Sequence, residues 1–119
     1  MTQGLSSQAD VITERVVTLT PGASVAVDAS AGSVFDLAAD QSFTLSNPTN
    51  PTSGQKILFR IKQTGAGSWV LTLDTKFRTP SDLTGSVLST ATGTTDILGF
   101  VYNLADDKWD WTGITKGYV

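Results

Sequence analysis

The chain has 119 residues, of which 39% are hydrophobic and 16% charged, and its formal net charge at pH 7 is −3. This length predicts a single domain, and the composition is too apolar for a disordered chain. The chain contains no His and no Cys, which excludes His-based triads, Cys nucleophiles, Cys/His zinc sites and disulfides.

The first 14 residues are polar and show no periodic apolar pattern. They lack the basic and apolar regions of an export signal, and no apolar stretch of the chain is long enough to span a bilayer. We therefore expect residues 1–14 to form an extended arm, disordered in the free subunit, ahead of one β-domain at 15–119. A short helix over 7–17 is the alternative. The apolar residues Leu5, Val11 and Ile12 are the candidate docking residues of the arm.

Strand patterns dominate the rest of the chain, as short runs of Val, Ile, Thr, Phe and Leu separated by Gly, Pro, Asn and Ser. The strands are predicted at 15–20, 24–28, 34–37, 42–46, 55–63, 68–74, 86–89, 95–103 and 108–112. Nine short strands with turns between them predict an all-β fold, either an antiparallel β-sandwich or a small β-barrel.

The clearest hairpin pattern joins strand 55–63 to strand 68–74 through Thr64-Gly65-Ala66-Gly67. Phe59 lies on the apolar face of the first arm and Trp69 on that of the second. Pairing these two faces would form a ladder of cross-strand apolar contacts. We therefore expect this hairpin to form the core.

Strand 95–103 is apolar on both faces, with Ile97 and Val101 on one side and Leu98 and Phe100 on the other. Such a strand is either buried on both sides or lies in a subunit interface.

The eight basic residues are spread along the chain. Their only cluster is Lys56, Arg60 and Lys62, on alternate positions of one predicted strand, which is typical of a solvated strand face. With a negative net charge as well, the sequence argues against nucleic acid as a partner.

The densest acidic and aromatic segment runs from Asp106 to Trp111. Trp109 and Trp111 are two residues apart on a predicted strand, so their side chains point the same way. If exposed, they would form a stacking platform for sugar rings, with Asp107 or Asp110 accepting hydrogen bonds from hydroxyl groups. If buried, they belong to the core or to a subunit interface.

Neither a metal site nor an enzyme is expected from the sequence. No acidic loop has the ligand spacing of a known calcium site, so we expect no metal and no cofactor. Ser53-Gly54-Gln55-Lys56 matches the Ser-x-x-Lys pattern of penicillin-recognising enzymes, but here it leads into a strand instead of a helix, and the partner motifs are absent. No catalytic residue is predicted.

Residues 25–102 resemble a β-rich module that recurs in structural proteins of tailed bacteriophages, including tail fibres, head fibres and decoration proteins. The pattern is carried by Val27-Asp28-Ala29-Ser30-Ala31-Gly32-Ser33-Val34-Phe35, Phe43-Thr44-Leu45-Ser46-Asn47-Pro48-Thr49-Asn50-Pro51, Gly54-Gln55-Lys56-Ile57-Leu58-Phe59-Arg60-Ile61-Lys62-Gln63-Thr64-Gly65-Ala66-Gly67 and Asp96-Ile97-Leu98-Gly99-Phe100-Val101-Tyr102. The resemblance implies a homotrimer.

We therefore expect a non-enzymatic virion protein, made in the host cytoplasm and carried on the particle. The leading hypothesis is a capsid decoration (cement) or head-fibre subunit that binds a major capsid or tail protein through its arm. The alternative is a tail-fibre or tail-tip module that uses Trp109 and Trp111 to bind a receptor or a cell-surface glycan.

Overall fold

A computed structural model of the chain describes residues 14–81 and 88–119. Its strands are β1 (Val16–Thr18), β2 (Ser24–Val25), β3 (Val34–Ala39), β4 (Phe43–Leu45), β5 (Lys56–Gln63), β6 (Leu71–Leu73), β7 (Phe77–Arg78), β8 (Thr95–Asn103) and β9 (Lys108–Tyr118), with one 3₁₀ turn at Ala29–Ala31. The fold is β-rich, as the sequence predicts. No helix in the described ranges is long and apolar enough to cross a membrane.

The strands form two sheets. One has six strands in the order β1-β3-β5-β8-β9-β7, and the other has three in the order β2-β4-β6. From β1 to β6 the chain alternates between the sheets, and each strand pairs in parallel with the strand two steps later. This is the winding of a β-solenoid, in which each circuit lays a new strand beside the previous one.

The expected antiparallel arrangement is therefore wrong for the first half of the chain. Within residues 14–81 and 88–119, antiparallel pairing is found only where β8 joins β5 and β9 joins β8, while β7 pairs in parallel with β9. Alternating apolar residues predict a half-buried strand in either direction, so this pattern could not reveal the parallel pairing.

The predicted hairpin between 55–63 and 68–74 is also wrong. β5 pairs with β3 and β8 in the larger sheet, whereas β6 pairs with β4 in the smaller sheet. The backbone passes through Gly65 and Gly67, both with positive φ, and then crosses from one sheet to the other. A four-residue turn rich in glycine thus serves as a corner instead of a hairpin loop.

Other boundaries differ in detail. Strand 95–103 is confirmed residue for residue, and 108–112 extends to Tyr118. The two-residue strand β7 was not expected. Of the predicted strand 86–89, Leu88 and Ser89 are not in a strand, and the rest lies outside the described residues.

The docking candidates Leu5, Val11 and Ile12 also lie outside the described residues, as does most of the alternative helix 7–17.

The core contains apolar side chains of both sheets. Phe59 is fully buried at its centre, with its ring centroid 5.6 Å from Phe35, 5.7 Å from Phe100 and 6.2 Å from Phe77. The smaller sheet contributes Val25, Phe43 and Leu45, among others, to the same cluster. Trp69 is half-buried and packs against the edge of the core.

Candidate interaction surfaces

Trp109 and Trp111 are both buried, with 1% and 6% of their surface exposed. The Trp109 ring lies 5.0 Å from that of Tyr102, and the Trp111 ring stacks 6.0 Å from that of Phe100. The Trp111 Nε1–H also donates to the Gly113 carbonyl oxygen at 2.7 Å. With both rings packed into the core, neither presents a free face on which a sugar could stack.

Asp107 lies at the turn between β8 and β9, where it has a left-handed backbone (φ 53°). One carboxylate oxygen accepts a hydrogen bond of 2.6 Å from the Tyr102 hydroxyl. The other pairs with the Lys76 ammonium group. This carboxylate therefore joins the hairpin turn to the segment before β7.

Asp110 is held by Arg78, whose Nε donates to the Asp110 carboxylate at 2.7 Å. The same guanidinium donates from Nη1 to Asp106 at 3.0 Å. These hydrogen bonds raise the pKa of Arg78, and the bond from Arg78 holds the pKa of Asp110 below its usual value. Both acids are thus engaged in a network that fastens β7 to β9.

No group of three His, Cys, Asp or Glu side chains suited to a metal ion occurs within 14–81 and 88–119. Asp106, Asp107 and Asp110, which the sequence places close together, each face a basic side chain instead. These ion pairs stabilise the turn between β8 and β9.

The outer face of the six-stranded sheet, turned away from the core, carries a row of apolar positions. Backbone pairing aligns Val16 with Val34, Val34 with Leu58, and Leu58 with Gly99. Val16 is 51% and Leu58 43% exposed, whereas Val34 between them is 9% exposed. A side chain at position 99 would contact Leu58 and Thr112. Because Gly99 has none, the Leu58 side chain has room to lie along the sheet. We call Val16, Val34, Leu58 and Gly99 the apolar row.

Charged side chains flank the apolar row. On one side, Arg60 makes a two-pronged ion pair with Asp36, with Nε–Oδ1 and Nη2–Oδ2 distances of 2.5 and 2.7 Å. This pairing raises the pKa of Arg60. Lys56 lies on the other side, and Lys62 lies beyond Arg60 at the end of β5, both exposed. The basic cluster is therefore on the sheet surface, as expected.

A cleft of about 480 Å³ lies beside the loop after β1 and is lined by residues that include Pro21, Asp28 and Asn47. The Asp28 carboxylate accepts hydrogen bonds from the Ser30 hydroxyl (2.6 Å), the Ser30 amide (3.0 Å) and the Asn50 amide side chain (3.1 Å). These hydrogen bonds lower the pKa of Asp28, and the one from the Ser30 hydroxyl has the largest effect. The carboxylate caps the 3₁₀ turn, which is a structural role.

Sequence reasoning missed two buried polar side chains, Gln63 and Asp96, each 2% exposed. Asp96 accepts hydrogen bonds from the Ser89 amide and hydroxyl at 2.6 and 2.8 Å and from the Gly117 amide at 2.9 Å. It therefore holds the end of β9. Asp96 lies on the same face of strand 95–103 as Leu98 and Phe100, and this alternation is the sequence signal that could have predicted its burial.

Comparisons with family models, with curated proteins and with solved structures found no match.

Proposed function

We propose that this chain is a non-enzymatic structural subunit of a tailed-bacteriophage virion, a capsid decoration or head-fibre protein that binds the particle exterior as a homotrimer. The resemblance of residues 25–102 to phage structural modules motivates the proposal. Its partners are other copies of the chain and a major capsid or tail protein.

The structural observation that carries the proposal is the exposure of two apolar side chains, Val16 and Leu58, on the outer face of the larger sheet. Val16 and Leu58 are large apolar side chains left in solvent by the described part of the chain. Apolar side chains that are exposed on a sheet face and surrounded by charged residues are a feature that a protein–protein contact would cover. A protein that works by assembly needs such a surface.

The burial of Trp109 and Trp111 disfavours the alternative, a receptor- or glycan-binding module. Binding of sugar rings requires an exposed aromatic face, and both indoles pack against core aromatic rings. Asp107 and Asp110 are engaged by Lys76 and Arg78. These ring contacts and ion pairs would have to break before the site could bind a glycan.

The domain architecture is part of the proposal. The core cluster draws on both sheets, which supports a β-sandwich in which the three-stranded sheet packs face to face on the six-stranded sheet. Solenoid-like winding with a sandwich core gives a rigid body on which an interaction face can be displayed.

The experiment that tests the proposal is cosedimentation of the purified chain with empty phage shells, beside a variant that lacks Met1–Thr13. We expect the full chain to sediment with the shells at saturable stoichiometry and the truncated chain to remain in the supernatant. Circular dichroism must show that the truncated chain is folded. Failure of the full chain to bind any shell or tail preparation would contradict the proposal.

The control for the alternative is a glycan-binding measurement on the same two proteins. Saturable glycan binding by both, without shell binding, would favour the receptor module. Shell binding by the truncated chain at full occupancy would disprove docking through the arm while leaving the decoration function in place.

A further inference from the structure

The cleft beside the loop after β1 lies at one end of the solenoid. β1 is the end strand of the six-stranded sheet and β2 is the end strand of the three-stranded sheet. Within residues 14–81 and 88–119, no strand pairs with the outer edge of either one. The cleft is lined by the core residues Leu19 and Val27 and by the half-buried Val17 and Ala31. It therefore marks the place where the space between the two sheets reaches the surface.

The backbone of β2 directs hydrogen-bonding groups toward this open side. The Ala23 and Val25 carbonyl oxygens accept hydrogen bonds from β4 and the residue after it, at 2.9 and 3.0 Å. Because these groups alternate along a strand, those of Ser24 and Ala26 point the other way. Ser24 and Ala26 both line the cleft. An open strand edge beside an apolar cleft is a place where a further length of chain can add.

The chain enters this end of the fold in a fixed register. Val16 pairs with Val34, 18 positions later, and the Ser33 amide donates at 3.0 Å to the Arg15 carbonyl oxygen, again 18 positions away. A Cβ at Gly32 would lie 2.6 Å from that oxygen, so the corner before β3 packs closely against the chain before β1. The stacking of one circuit on the next thus already holds at Arg15, one residue before β1.

The same step of 18 positions, taken back from the corner after β2, reaches residues 9–11. That corner reads Val27-Asp28-Ala29, and its two apolar side chains are 3% and 1% exposed, whereas its Asp is exposed. The residues 18 positions earlier read Ala9-Asp10-Val11. An Asp again stands between two apolar residues, so the same placement would direct Ala9 and Val11 to the cleft and Asp10 to the solvent.

We infer that residues 9–13 of this chain cover the cleft and extend the solenoid by one further corner. Stacked circuits need a cover at each end. A segment of the same chain has an advantage over a separate partner, because Glu14 and Arg15 tether it beside the cleft at a high effective concentration. The Glu14 carboxylate also accepts a hydrogen bond from the Ser33 hydroxyl, which draws the chain toward this corner.

This inference goes beyond the proposed function and changes the extent of the expected arm. Residues 1–8, with the docking candidate Leu5, remain for contact with a shell. Val11 packs inside the domain instead of on a shell. Ile12 stands 18 positions before Ser30, which is exposed, so its side chain faces the solvent.

The first test compares two neighbouring substitutions by urea denaturation. Val11→Asp should lower the denaturation midpoint by roughly 1 M, because it places a carboxylate in an apolar cleft. Ile12→Asp is the matched control with the same change in charge, and its midpoint should stay close to that of the parent. Equal midpoints for the two variants would overturn the inference.

The second test uses the absence of Cys from the chain. In the inferred register the backbones at Ile12 and Ser30 lie about 5 Å apart, within reach of a disulfide. The Ile12→Cys/Ser30→Cys variant should therefore lose its free thiols on mild oxidation and stay monomeric on a non-reducing gel. The control is Ile12→Cys/Val70→Cys, since Val70 is 60% exposed and precedes β6 at the opposite edge of the smaller sheet.

Two results of this cross-linking would overturn the inference. Equal oxidation of the two pairs would show that residues 9–13 have no fixed position on the domain. A disulfide between chains, seen as a dimer band for the pair at Ile12 and Ser30, would place the segment on a second copy.

A variant that lacks residues 1–8 tests the inference and the proposed function separately. Its urea midpoint should equal that of the parent, because residues 9–13 remain, whereas its cosedimentation with shells should be lost. A midpoint well below that of the parent would place the covering residues within 1–8 and overturn the inference. Shell binding at full occupancy would disprove docking through residues 1–8 and leave the inference intact.

Discussion

The Gln63 side chain holds both backbone polar groups of Trp69. Its Oε1 accepts a hydrogen bond of 3.1 Å from the Trp69 amide, and its Nε2 donates at 3.0 Å to the Trp69 carbonyl. The side chain thus substitutes for a partner strand at the corner where the backbone leaves β5. This contact directs residues 68–70 away from β5 and toward the smaller sheet.

Replacing Gln63 by Leu should destabilise the domain by about 2–4 kcal/mol, because both backbone groups of Trp69 would lose a partner. The free energy of unfolding is to be measured by urea denaturation. Gln41→Leu is the matched control, since Gln41 is exposed, and should change stability by at most about 0.5 kcal/mol. Equal effects of the two substitutions would contradict the role of Gln63.

Phe59→Ala should cost about 3–5 kcal/mol, because it removes a fully buried ring that contacts three other aromatic rings. Trp69→Ala should cost less, since Trp69 is only half-buried and its loss opens a smaller cavity. Denaturant melts of the two variants and of Val70→Ala, an exposed control, would rank them. A Trp69→Ala variant less stable than Phe59→Ala would contradict the placement of these two rings.

Gly65 and Gly67 offer a matched comparison at the same corner. Both have positive φ, but a Cβ at Gly65 would meet open space, whereas one at Gly67 would lie 2.6 Å from the Thr90 carbonyl oxygen. Gly65→Ala should therefore cost about 1 kcal/mol for the left-handed backbone. Gly67→Ala should cost about 2–4 kcal/mol, because backbone must also move. Thermal and urea melts that place Gly65→Ala as the less stable variant would show that the corner has a different conformation.

The burial of Trp109 and Trp111 can be measured by fluorescence without any ligand. The chain has three tryptophans, so the Trp69→Phe variant isolates the two of interest. Their emission should be blue-shifted, and acrylamide should quench it several-fold less than it quenches a free indole. If acrylamide quenched this emission as efficiently as it quenches free indole, Trp109 and Trp111 would be exposed, and the glycan hypothesis would be favoured.

The ion pair between Arg78 and Asp110 predicts a pH dependence. The hydrogen bond from Arg78 lowers the pKa of Asp110 in the folded state from its ordinary value of 3.8. Its contribution is therefore present above about pH 4 and is lost as the pH falls through the lowered folded-state pKa. Because both side chains are partly exposed, the contribution is small.

The Asp110→Asn variant should be slightly less stable than the parent at pH 7 and should lose less stability between pH 4 and pH 2. Asp40→Asn changes the net charge equally at an exposed loop and is the control. Parallel stability curves for the parent and Asp110→Asn across this range would contradict the coupling. The curves are to be measured by urea denaturation at fixed ionic strength.

The sequence by itself determined the approximate positions of most strands, although it missed β7 and placed Leu88 and Ser89 in a strand that they do not form. Alternation placed Phe59 inside, put Leu98 and Phe100 together on one face of strand 95–103, and put Trp109 and Trp111 on one face of another strand. These are consequences of the two-residue period of a strand and of the burial of apolar side chains. Both are local properties, so they can be read from neighbouring residues.

Only the tertiary structure decided which strands pair and in which direction. Alternation is the same for parallel and antiparallel partners, and the glycines at 65 and 67 permit a corner as readily as a hairpin. The side-chain contact from Gln63 to Trp69 lies across that corner. Val16, Val34 and Leu58 line up because parallel pairing brings Val16 into register with Val34, 18 positions later, and Val34 into register with Leu58, 24 positions later. Pairing depends on contacts between residues far apart in the chain, and the pattern of any one segment does not contain them.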